Sequence, residues 1–310
     1  MRNRIHLKYR RGKIERITTL VLLLLIFPLQ GIKAQTPKDN VGNFQVAFST
    51  NVFKGVYLND AIAGANVLTE TLINEYSRKK YKIIPPATFS SMEELENLIK
   101  LQEVEVFIMH STELLRLKNP NLIIPICVAI RDGSPYDIFY LLINTKSGYT
   151  KIDDLKNGRI LIGSPFEADI PVLWLDNLLK ERKLGKKEEY FSSIEYFEKA
   201  LPSILPVFFG KAEACIVTKS LFETVTELNP QLNKELIPIE ISQPISIGII
   251  AIRENISNPE LKEDIKKAFI NMHKHANGRQ YLNIFRSQRV GEFKKEHLAS
   301  TYEILNLNER

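Results

Sequence analysis

The sequence offers little that would support covalent or metal chemistry. Of its 310 residues only two are cysteines, Cys127 and Cys215, with no CxxC spacing and no Cys/His pattern typical of a metal site. The P-loop, the G-x-G-x-x-G fingerprint and the G-x-S-x-G nucleophile motif are also missing. These absences predict a protein with no metal, no cofactor and no enzymatic activity, and they disfavour nucleotide binding.

The two cysteines lie in apolar segments that have the composition of strands. We interpret both as small buried hydrophobic residues, which is how free cysteine usually behaves in a protein core. Export from the cytoplasm would still permit a disulfide between them, and the sequence leaves that alternative open.

Histidine is scarce as well, with five residues in the chain. His273 and His275 are two positions apart and would face different sides of a helix, so we interpret them, together with His297, as solvated helix surface. His110 differs because it ends an apolar segment and precedes Ser111-Thr112. It is either a polar group of a pocket or a local helix cap.

The net charge of +6 comes from the N-terminal segment. Residues 1–34 hold eight Lys/Arg and one acid, a net charge of +7, which leaves −1 for the remainder and no reason to expect nucleic-acid binding. An apolar run, Ile17–Leu29, follows the basic residues and is shorter than the roughly 20 residues that span a bilayer. This pattern predicts export by a signal peptide over 1–34. An uncleaved N-terminal membrane anchor is the alternative.

Apolar strand-like segments alternate with amphipathic helices in two blocks, a pattern typical of α/β proteins. Long strands at about 121–144 and 236–253 connect the blocks. We therefore predict two lobes, each a mostly parallel sheet flanked by helices, with the chain crossing between them twice. The predicted ranges are 35–132 with 242–310 for the first lobe and 133–241 for the second.

Polar residues follow several predicted strands where the next helix begins. Each such junction is most simply an N-cap, but together, at the carboxyl ends of parallel strands, they make a credible ligand cleft. The junctions are Phe53–Tyr57, Thr88–Ser91, His110–Thr112, Gly163–Asp169 and Thr218–Ser220.

Two further local predictions follow from residue type and spacing. A helix is predicted to open at Ser192-Ser193, and Trp174 is predicted to lie in a core.

Four segments, in this order, resemble one known family. They are FSSMEELENLIKLQEVEVFIM (89–109), KSGYTKIDDLKNGRILIGS (146–164), FGKAEACIV (209–217) and the stretch 279–293. They are similar to segments of the periplasmic substrate-binding proteins of ABC transporters, of the type that binds phosphate, phosphite or phosphonate, with sulfonate- and taurine-binding relatives.

The resemblance implies a two-lobed type 2 periplasmic-binding fold with the ligand between the lobes. It implies a monomeric, exported protein that captures a small molecule, closes by hinge motion near Ala129–Asp137 and Glu240–Ser246, and delivers the ligand to a membrane ABC permease or to a sensor protein. The ligand-binding candidates that it implies, with Phe53 and Asp169 added from the junctions, are Phe53, Tyr57, Phe89, Ser90, Ser91, His110, Ser111, Ser164 and Asp169.

One loop departs from the family pattern. The family's second-lobe anion loop reads Ser-Thr-Ser-Gly, whereas here Ser164 is followed by PFEADIP. Pro165 and Pro171 have no N–H to donate, and Glu167 or Asp169 would repel an oxyanion if it faced the cleft. Asp169 is otherwise an N-cap of the following helix. An amine-bearing or neutral ligand is therefore an alternative to a phosphonate.

Two other functions remain open from the sequence. One is a periplasmic ligand-sensing or signalling protein on the same fold whose ligand is not a phosphonate. The other is a biosynthetic enzyme on this fold, which export and the lack of a catalytic cluster argue against.

Overall fold

The strands of this protein are short apolar segments that are mostly buried, as expected when helices cover both faces of a sheet. Val106–His110, for example, has all five residues buried. The protein is described by a computed structural model that places residues 42–53, 57–76, 80–163, 169–256 and 259–308. In chain order the strands are β1 (Gly42–Phe44), β2 (Val46–Ser49), β3 (Tyr81–Ile83), β4 (Ala87–Phe89), β5 (Val106–His110), β6 (Ile123–Ile130), β7 (Phe139–Asn144), β8 (Arg159–Ile162), β9 (Ser193–Tyr196), β10 (Ala214–Thr218), β11 (Leu236–Ile241), β12 (Gly248–Arg253) and β13 (Arg289–Glu292).

Helices begin where polar side chains satisfy the first backbone N–H groups. The oxygen of Ser91 accepts a hydrogen bond from the Glu94 N–H at 3.2 Å, which confirms the capping predicted at Ser90-Ser91. The α-helices are α1 (Leu58–Tyr76), α2 (Met92–Leu101), α3 (Ser111–Leu115), α4 (Ile170–Glu181), α5 (Lys187–Tyr190), α6 (Ala200–Phe208), α7 (Lys219–Leu228), α8 (Pro230–Glu235), α9 (Pro259–Asn271), α10 (Ala276–Ile284) and α11 (Ala299–Ile304). Short 3-10 helices cover Thr50–Phe53, Pro120–Leu122, Thr145–Ser147, Ile152–Leu155, Met272–Lys274 and Lys295–Leu298.

Two large sheets form the centres of two lobes. The first lobe has the order β13-β6-β12-β5-β2-β4, the second has β11-β7-β10-β8-β9, and β1 pairs separately with β3. Strands β2, β4 and β5 are parallel in the first lobe, as are β8, β9 and β10 in the second. The predicted two-lobed α/β fold is confirmed. Each sheet is nevertheless mixed rather than mostly parallel, because the strands that return from the lobe crossings pair antiparallel.

Each sheet is buried on both faces. In the first lobe one face packs on α1, α9 and α10 through residues such as Phe48 and Phe269, and the other packs on α2 through Leu95 and Phe107. In the second lobe α4 covers one face and α6 and α7 cover the other. Burial of Trp174 at the base of α4 confirms its predicted core position. These packed faces leave the strand ends and the following loops to form a site.

The chain crosses between the lobes twice, and the two crossings lie side by side. One runs from the end of β6 to the start of β7, and the other runs from the end of β11 to the start of β12. Asp137 and Ile245 exchange two backbone hydrogen bonds of 2.9 Å across the crossings, and the Ser246 hydroxyl donates to the Pro135 carbonyl at 2.8 Å. These segments overlap the predicted hinges, whose movement stays a prediction.

The C-terminal segment makes hydrogen bonds with both lobes. On the first lobe, the Thr301 hydroxyl donates to the Ser111 hydroxyl at 3.1 Å. On the second, the Asn177 amide on α4 donates to the Ile304 carbonyl at 3.0 Å, and the Asn306 amide donates to the Asn177 carbonyl oxygen at 3.1 Å. The predicted range 242–310 therefore includes residues that contact the second lobe, and the domain boundaries stay a prediction.

The helix predicted to open at Ser192-Ser193 is wrong. Residues 193–196 instead form β9, which pairs in parallel with β8 in register Arg159↔Ser193. The Arg159 guanidinium binds the Glu195 carboxylate at 2.8 Å and supports this edge strand. The helix α6 starts only at Ala200. Four residues of strand are too few for a periodicity to be recognised beside a serine pair that resembles a cap.

The two cysteines are free and buried, which confirms their interpretation as small core residues. Cys127 lies in the first-lobe sheet and Cys215 in the second. Burial raises the pKa of the Cys127 thiol to about 12 and raises that of Cys215 as well, because a thiolate loses its hydration there. Both thiols are therefore kept in the unreactive protonated form.

Candidate functional site

A buried carboxylate joins the carboxyl ends of β2 and β5 in the first lobe. The Glu113 side chain is 8% exposed and accepts three hydrogen bonds. One oxygen binds the Ser49 hydroxyl at 2.6 Å and the Asn51 amide at 2.9 Å, and the other binds the His110 N–H at 2.8 Å. Because three donors satisfy it, this buried charge is stabilised and holds the two strand ends in one geometry.

Ser111 follows β5 directly and is buried, with its hydrogen-bonding groups engaged inside the protein. Its N–H donates to the Ile247 carbonyl at 2.8 Å, next to a lobe crossing. Its hydroxyl accepts from Thr301. Ser111 thus connects the first-lobe strand end with the crossing and with the C-terminal helix.

The two lobes meet at Asp169. Its carboxylate accepts a hydrogen bond from the Thr112 hydroxyl at 3.2 Å and forms an ion pair with the Arg116 guanidinium. Asp169 occupies the N-cap position of α4, but its side chain makes no capping hydrogen bond. The predicted N-cap role is therefore wrong for the side chain, because a threonine and an arginine on the other lobe offer it a neutral donor and a full positive charge.

The second-lobe edge of the site is formed by the ends of β8, β9 and β10. Gly163 follows β8 and its N–H donates to the Ile216 carbonyl at 2.9 Å. Thr218 ends β10 and caps α7 by accepting from the Leu221 N–H at 3.4 Å. Tyr196 ends β9 with 62% of its surface exposed. Ser164 belongs to this edge by sequence but lies outside the described residues, as do Glu167 and Pro165.

The aromatic candidates differ sharply in exposure. Phe53 is buried, with ring centroids 5.5 Å from Phe48 and 5.4 Å from Phe285, and Phe89 is buried in the opposite core of the same lobe. Tyr57 is 83% exposed. Of the three, only Tyr57 is exposed to solvent. Phe53 and Phe89 are core residues that pack beneath the strand ends.

Ser90 and Ser91 are exposed and are both engaged at the start of α2. The Glu94 carboxylate accepts from the Ser90 N–H at 2.6 Å and from its hydroxyl at 2.9 Å. These bonds lower the pKa of Glu94, the Ser90 backbone donor contributing most. The contacts that bring predicted candidates together are those around His110, Ser111 and Asp169. Whether any of the nine predicted residues touches a ligand stays a prediction.

Several residues of this site were missing from the sequence prediction. They approach one another through the fold, since Thr112 and Arg116 are more than fifty positions from Asp169. The spacing of His110 and Glu113 was a usable signal, because an acidic residue three positions into a helix often binds the backbone at its start. The missed residues are Ser49, Asn51, Glu113, Arg116 and Tyr196; Thr112 lies in a predicted junction but was not among the ligand-binding candidates.

His297 is buried beside the first lobe crossing, so its predicted place on solvated helix surface is wrong; His275 is exposed as predicted. The His297 ring makes edge-on contacts with Tyr136 at 5.6 Å and Phe293 at 5.8 Å, and the His297 Nδ1 accepts a hydrogen bond from the Lys294 N–H at 3.1 Å. Burial lowers the pKa of His297; Lys294 adds to this effect and Glu296 opposes it. The folded protein thus prefers the neutral imidazole.

We expect acidification to destabilise the protein through His297. The pKa of this histidine is lower in the folded chain than in the unfolded one. Below about pH 6.5 the unfolded chain therefore binds more protons, and the free energy of unfolding decreases as the pH is lowered. The free energy of unfolding in urea, measured at pH 7.5 and 5.5, should differ less for His297→Phe than for the wild type. His275→Gln, at an exposed position, is the control. An undiminished difference in His297→Phe would assign the pH dependence to other groups.

A second ion pair lies at the first crossing. The Arg131 guanidinium contacts the Asp137 carboxylate at 3.1 Å, with both side chains largely buried. Burial raises the pKa of Asp137, and the positive charge of Arg131 opposes that rise.

Within the residues described, no cluster of His, Cys, Asp or Glu has the composition of a metal site, and no helix has the length and apolarity to cross a membrane.

Residues 60–298 match the model of a protein family described as the periplasmic substrate-binding protein of phosphonate ABC transporters. The match covers most of the chain and includes strands and helices of both lobes. No curated protein sequence matches the chain.

Solved structures of similar fold include solute-binding proteins. PhnD1 from Prochlorococcus marinus, in complex with methylphosphonate, is 15% identical with a TM-score of 0.56, covering 85% of this chain and 97% of its own. A binding protein component of an ABC phosphonate transporter from Pseudomonas aeruginosa is 10% identical with a TM-score of 0.57, covering 85% and 86%. XAC2383 from Xanthomonas citri, bound to ATP, is 9% identical with a TM-score of 0.58, covering 86% and 99%. At these identities the likeness shows the fold alone.

Proposed function

We propose that this chain, which belongs to the family of periplasmic substrate-binding proteins of phosphonate ABC transporters, captures a small oxyanion of the phosphonate or phosphite type between its lobes. It then delivers the ligand to a membrane ABC permease. Proteins of this family bind a solute and do not catalyse a reaction, so the chain is not an enzyme. A protein that functions in the periplasm must be exported, and we expect residues 1–34 to be the cleaved signal peptide that directs this export.

The observation that carries the proposal is the polar meeting point of the lobes. Thr112 and Arg116 from the first lobe and Asp169 from the second come together beyond the carboxyl ends of β5 and β8. In open α/β folds, ligands bind outside the carboxyl ends of parallel strands. A hydroxyl beside a guanidinium provides the neutral and charged donors that suit an oxyanion.

Thermal unfolding of the protein purified from the periplasm tests the ligand class. At a concentration of about 100 times its dissociation constant, a ligand adds roughly 2.7 kcal/mol to the folded state. For a chain of this size that corresponds to a rise in Tm of about 5 °C. We expect this rise with methylphosphonate or phosphite.

Sodium chloride at the same ionic strength is the control, since a general salt effect would raise Tm equally. Methylsulfonate and an alkylamine are tested in parallel. A rise with the amine and none with the oxyanions would contradict the proposed ligand class and favour the amine-bearing alternative. The absence of any rise would favour a sensing or signalling protein with another ligand.

A further inference from the structure

Asp169 stands in an unusual position for an acid at the start of a helix. Its backbone is helical, with φ −93° and ψ −8°, and its carboxylate makes no capping bond to α4. The carboxylate extends to the other lobe, where Thr112 donates a hydrogen bond of 3.2 Å and Arg116 supplies the counter-charge. An aspartate at this position ordinarily accepts hydrogen bonds from the first N–H groups of its own helix. Asp169 instead accepts from side chains of the opposite lobe.

We propose that Asp169 is an internal competitor of the ligand. Its carboxylate lies between the Thr112 hydroxyl and the Arg116 guanidinium, at the place that the oxyanion of the ligand takes on binding. The proposal rests on the function proposed above and adds to it a specific oxyanion site and its regulation. Capture is then an exchange of one anion for another at the same two donors.

The chemistry of the donors supports this exchange. A hydroxyl and a guanidinium can donate hydrogen bonds to a carboxylate or to a phosphonate, because both anions offer acceptor oxygens. A phosphonate has three such oxygens and up to two negative charges, and it therefore forms more charge-assisted hydrogen bonds than a carboxylate can. The ligand is the stronger partner for the same pair of donors.

The cost of displacing Asp169 is small. The side chains of Arg116 and Asp169 are 38% and 36% exposed, so water already solvates part of each charge. Ion pairs with this exposure contribute little to stability, and the released carboxylate regains hydration. Thr112 is buried, and the ligand oxygen replaces its acceptor directly. Displacement therefore leaves no buried donor unsatisfied.

The contact also joins the lobes, which gives the exchange a conformational consequence. While Asp169 holds Thr112 and Arg116, the donors are unavailable to a ligand, and the apparent affinity falls in proportion to the fraction of molecules in which they are free. Removing the competitor should restore that fraction. From the usual strength of an exposed pair, we expect about a fivefold gain in affinity.

The test is a calorimetric titration of the full protein with methylphosphonate. Asp169→Asn and Asp169→Ala should bind it about fivefold more tightly than the wild type. Arg116→Gln should bind it at least about tenfold more weakly, because the guanidinium serves the ligand as well as Asp169. Circular dichroism and Tm establish that each variant is folded.

Asp176→Asn is the matched control. Asp176 lies on the same helix and forms a partly exposed ion pair with Lys187 at 2.9 Å inside the second lobe. Its removal takes away one negative charge of α4 without touching the donors of the first lobe. We expect its affinity for methylphosphonate to equal that of the wild type. An equal gain in Asp176→Asn and Asp169→Asn would overturn the proposal, since it would reduce the effect to net charge.

The outcomes separate this inference from the proposed function. If the wild type binds methylphosphonate and Asp169→Asn binds it equally or more weakly, the inference is wrong and the proposed function stands. If neither the wild type nor the Asp169 variants bind methylphosphonate, phosphite or methylsulfonate, the oxyanion class itself is wrong. Tighter binding confined to the Asp169 variants, together with loss in Arg116→Gln, supports the inference.

Discussion

Replacing Glu113 by alanine is expected to lower the free energy of unfolding by about 4 kcal/mol. The substitution removes a buried carboxylate that accepts from Ser49, Asn51 and the His110 N–H. The Ser49 hydroxyl and the His110 N–H then lie in the protein interior without their acceptor, at a cost of about 1–3 kcal/mol each, whereas the Asn51 amide is half-buried and water can partly replace its acceptor. Urea unfolding monitored by circular dichroism measures the loss.

Glu94→Ala is the matched control. Glu94 is also a glutamate near the start of a helix that accepts from a serine hydroxyl and a backbone N–H, but it is exposed. Water replaces its bonds, and the loss of stability should be several times smaller than in Glu113→Ala. Equal losses in the two variants would show that the Glu113 bonds act only as a helix cap. If Glu113→Ala still folds, its affinity for the ligand should fall too, because the donors around His110 lose their common anchor.

Gly163→Val is expected to destabilise the second lobe by about 3–4 kcal/mol. A Cβ atom at residue 163 would lie 3.0 Å from the Ser203 Cβ and 3.2 Å from the Ala200 Cα, both on α6. The contact with Ala200 is with backbone, which cannot rotate away. The helix must move off the end of β8, which disturbs the second-lobe edge of the site. Urea unfolding and the affinity for methylphosphonate measure the two effects.

Gly42→Ala provides the comparison for Gly163. A Cβ there meets only the Tyr81 ring at 3.4 Å, an ordinary contact, so its stability should match that of the wild type. The double variant Gly163→Ala/Ser203→Gly removes the side chain closest to the new methyl group. It should be more stable than the sum of its single changes predicts. Additive losses would mean that the Ser203 contact is not the source of the strain.

Much of the fold could be predicted because it depends on local patterns. The apolar run around Cys127, the caps at Ser91 and Thr218 and the core position of Trp174 all follow from residue type and spacing. The prediction failed at β9, where four residues were too few to show an alternation. It failed at His297 because burial there comes from Tyr136, far away in the chain.

The site was harder to predict than the fold for a physical reason. Polar residues after strands mark where a site can lie, and the junction that includes Ser111 was named as a candidate in this way. The charge partners depend on how one lobe approaches the other. Arg116 is the C-cap of a short helix and has no sequence feature that distinguishes it from other surface arginines. Its ion pair with Asp169 depends on the approach of the two lobes in the folded protein.

The C-terminal helix has a mechanical consequence for the opening of the cleft. Thr301 is bonded to Ser111 in the first lobe, while Ile304 and Asn306 are bonded to Asn177 in the second. This helix is a tether of fixed length across the gap between α3 and α4. Rotation that moves these two helices apart stretches or breaks the tether, whereas rotation about the tether does not. For the predicted hinge motion, we expect the tether to limit both the direction and the amplitude of opening.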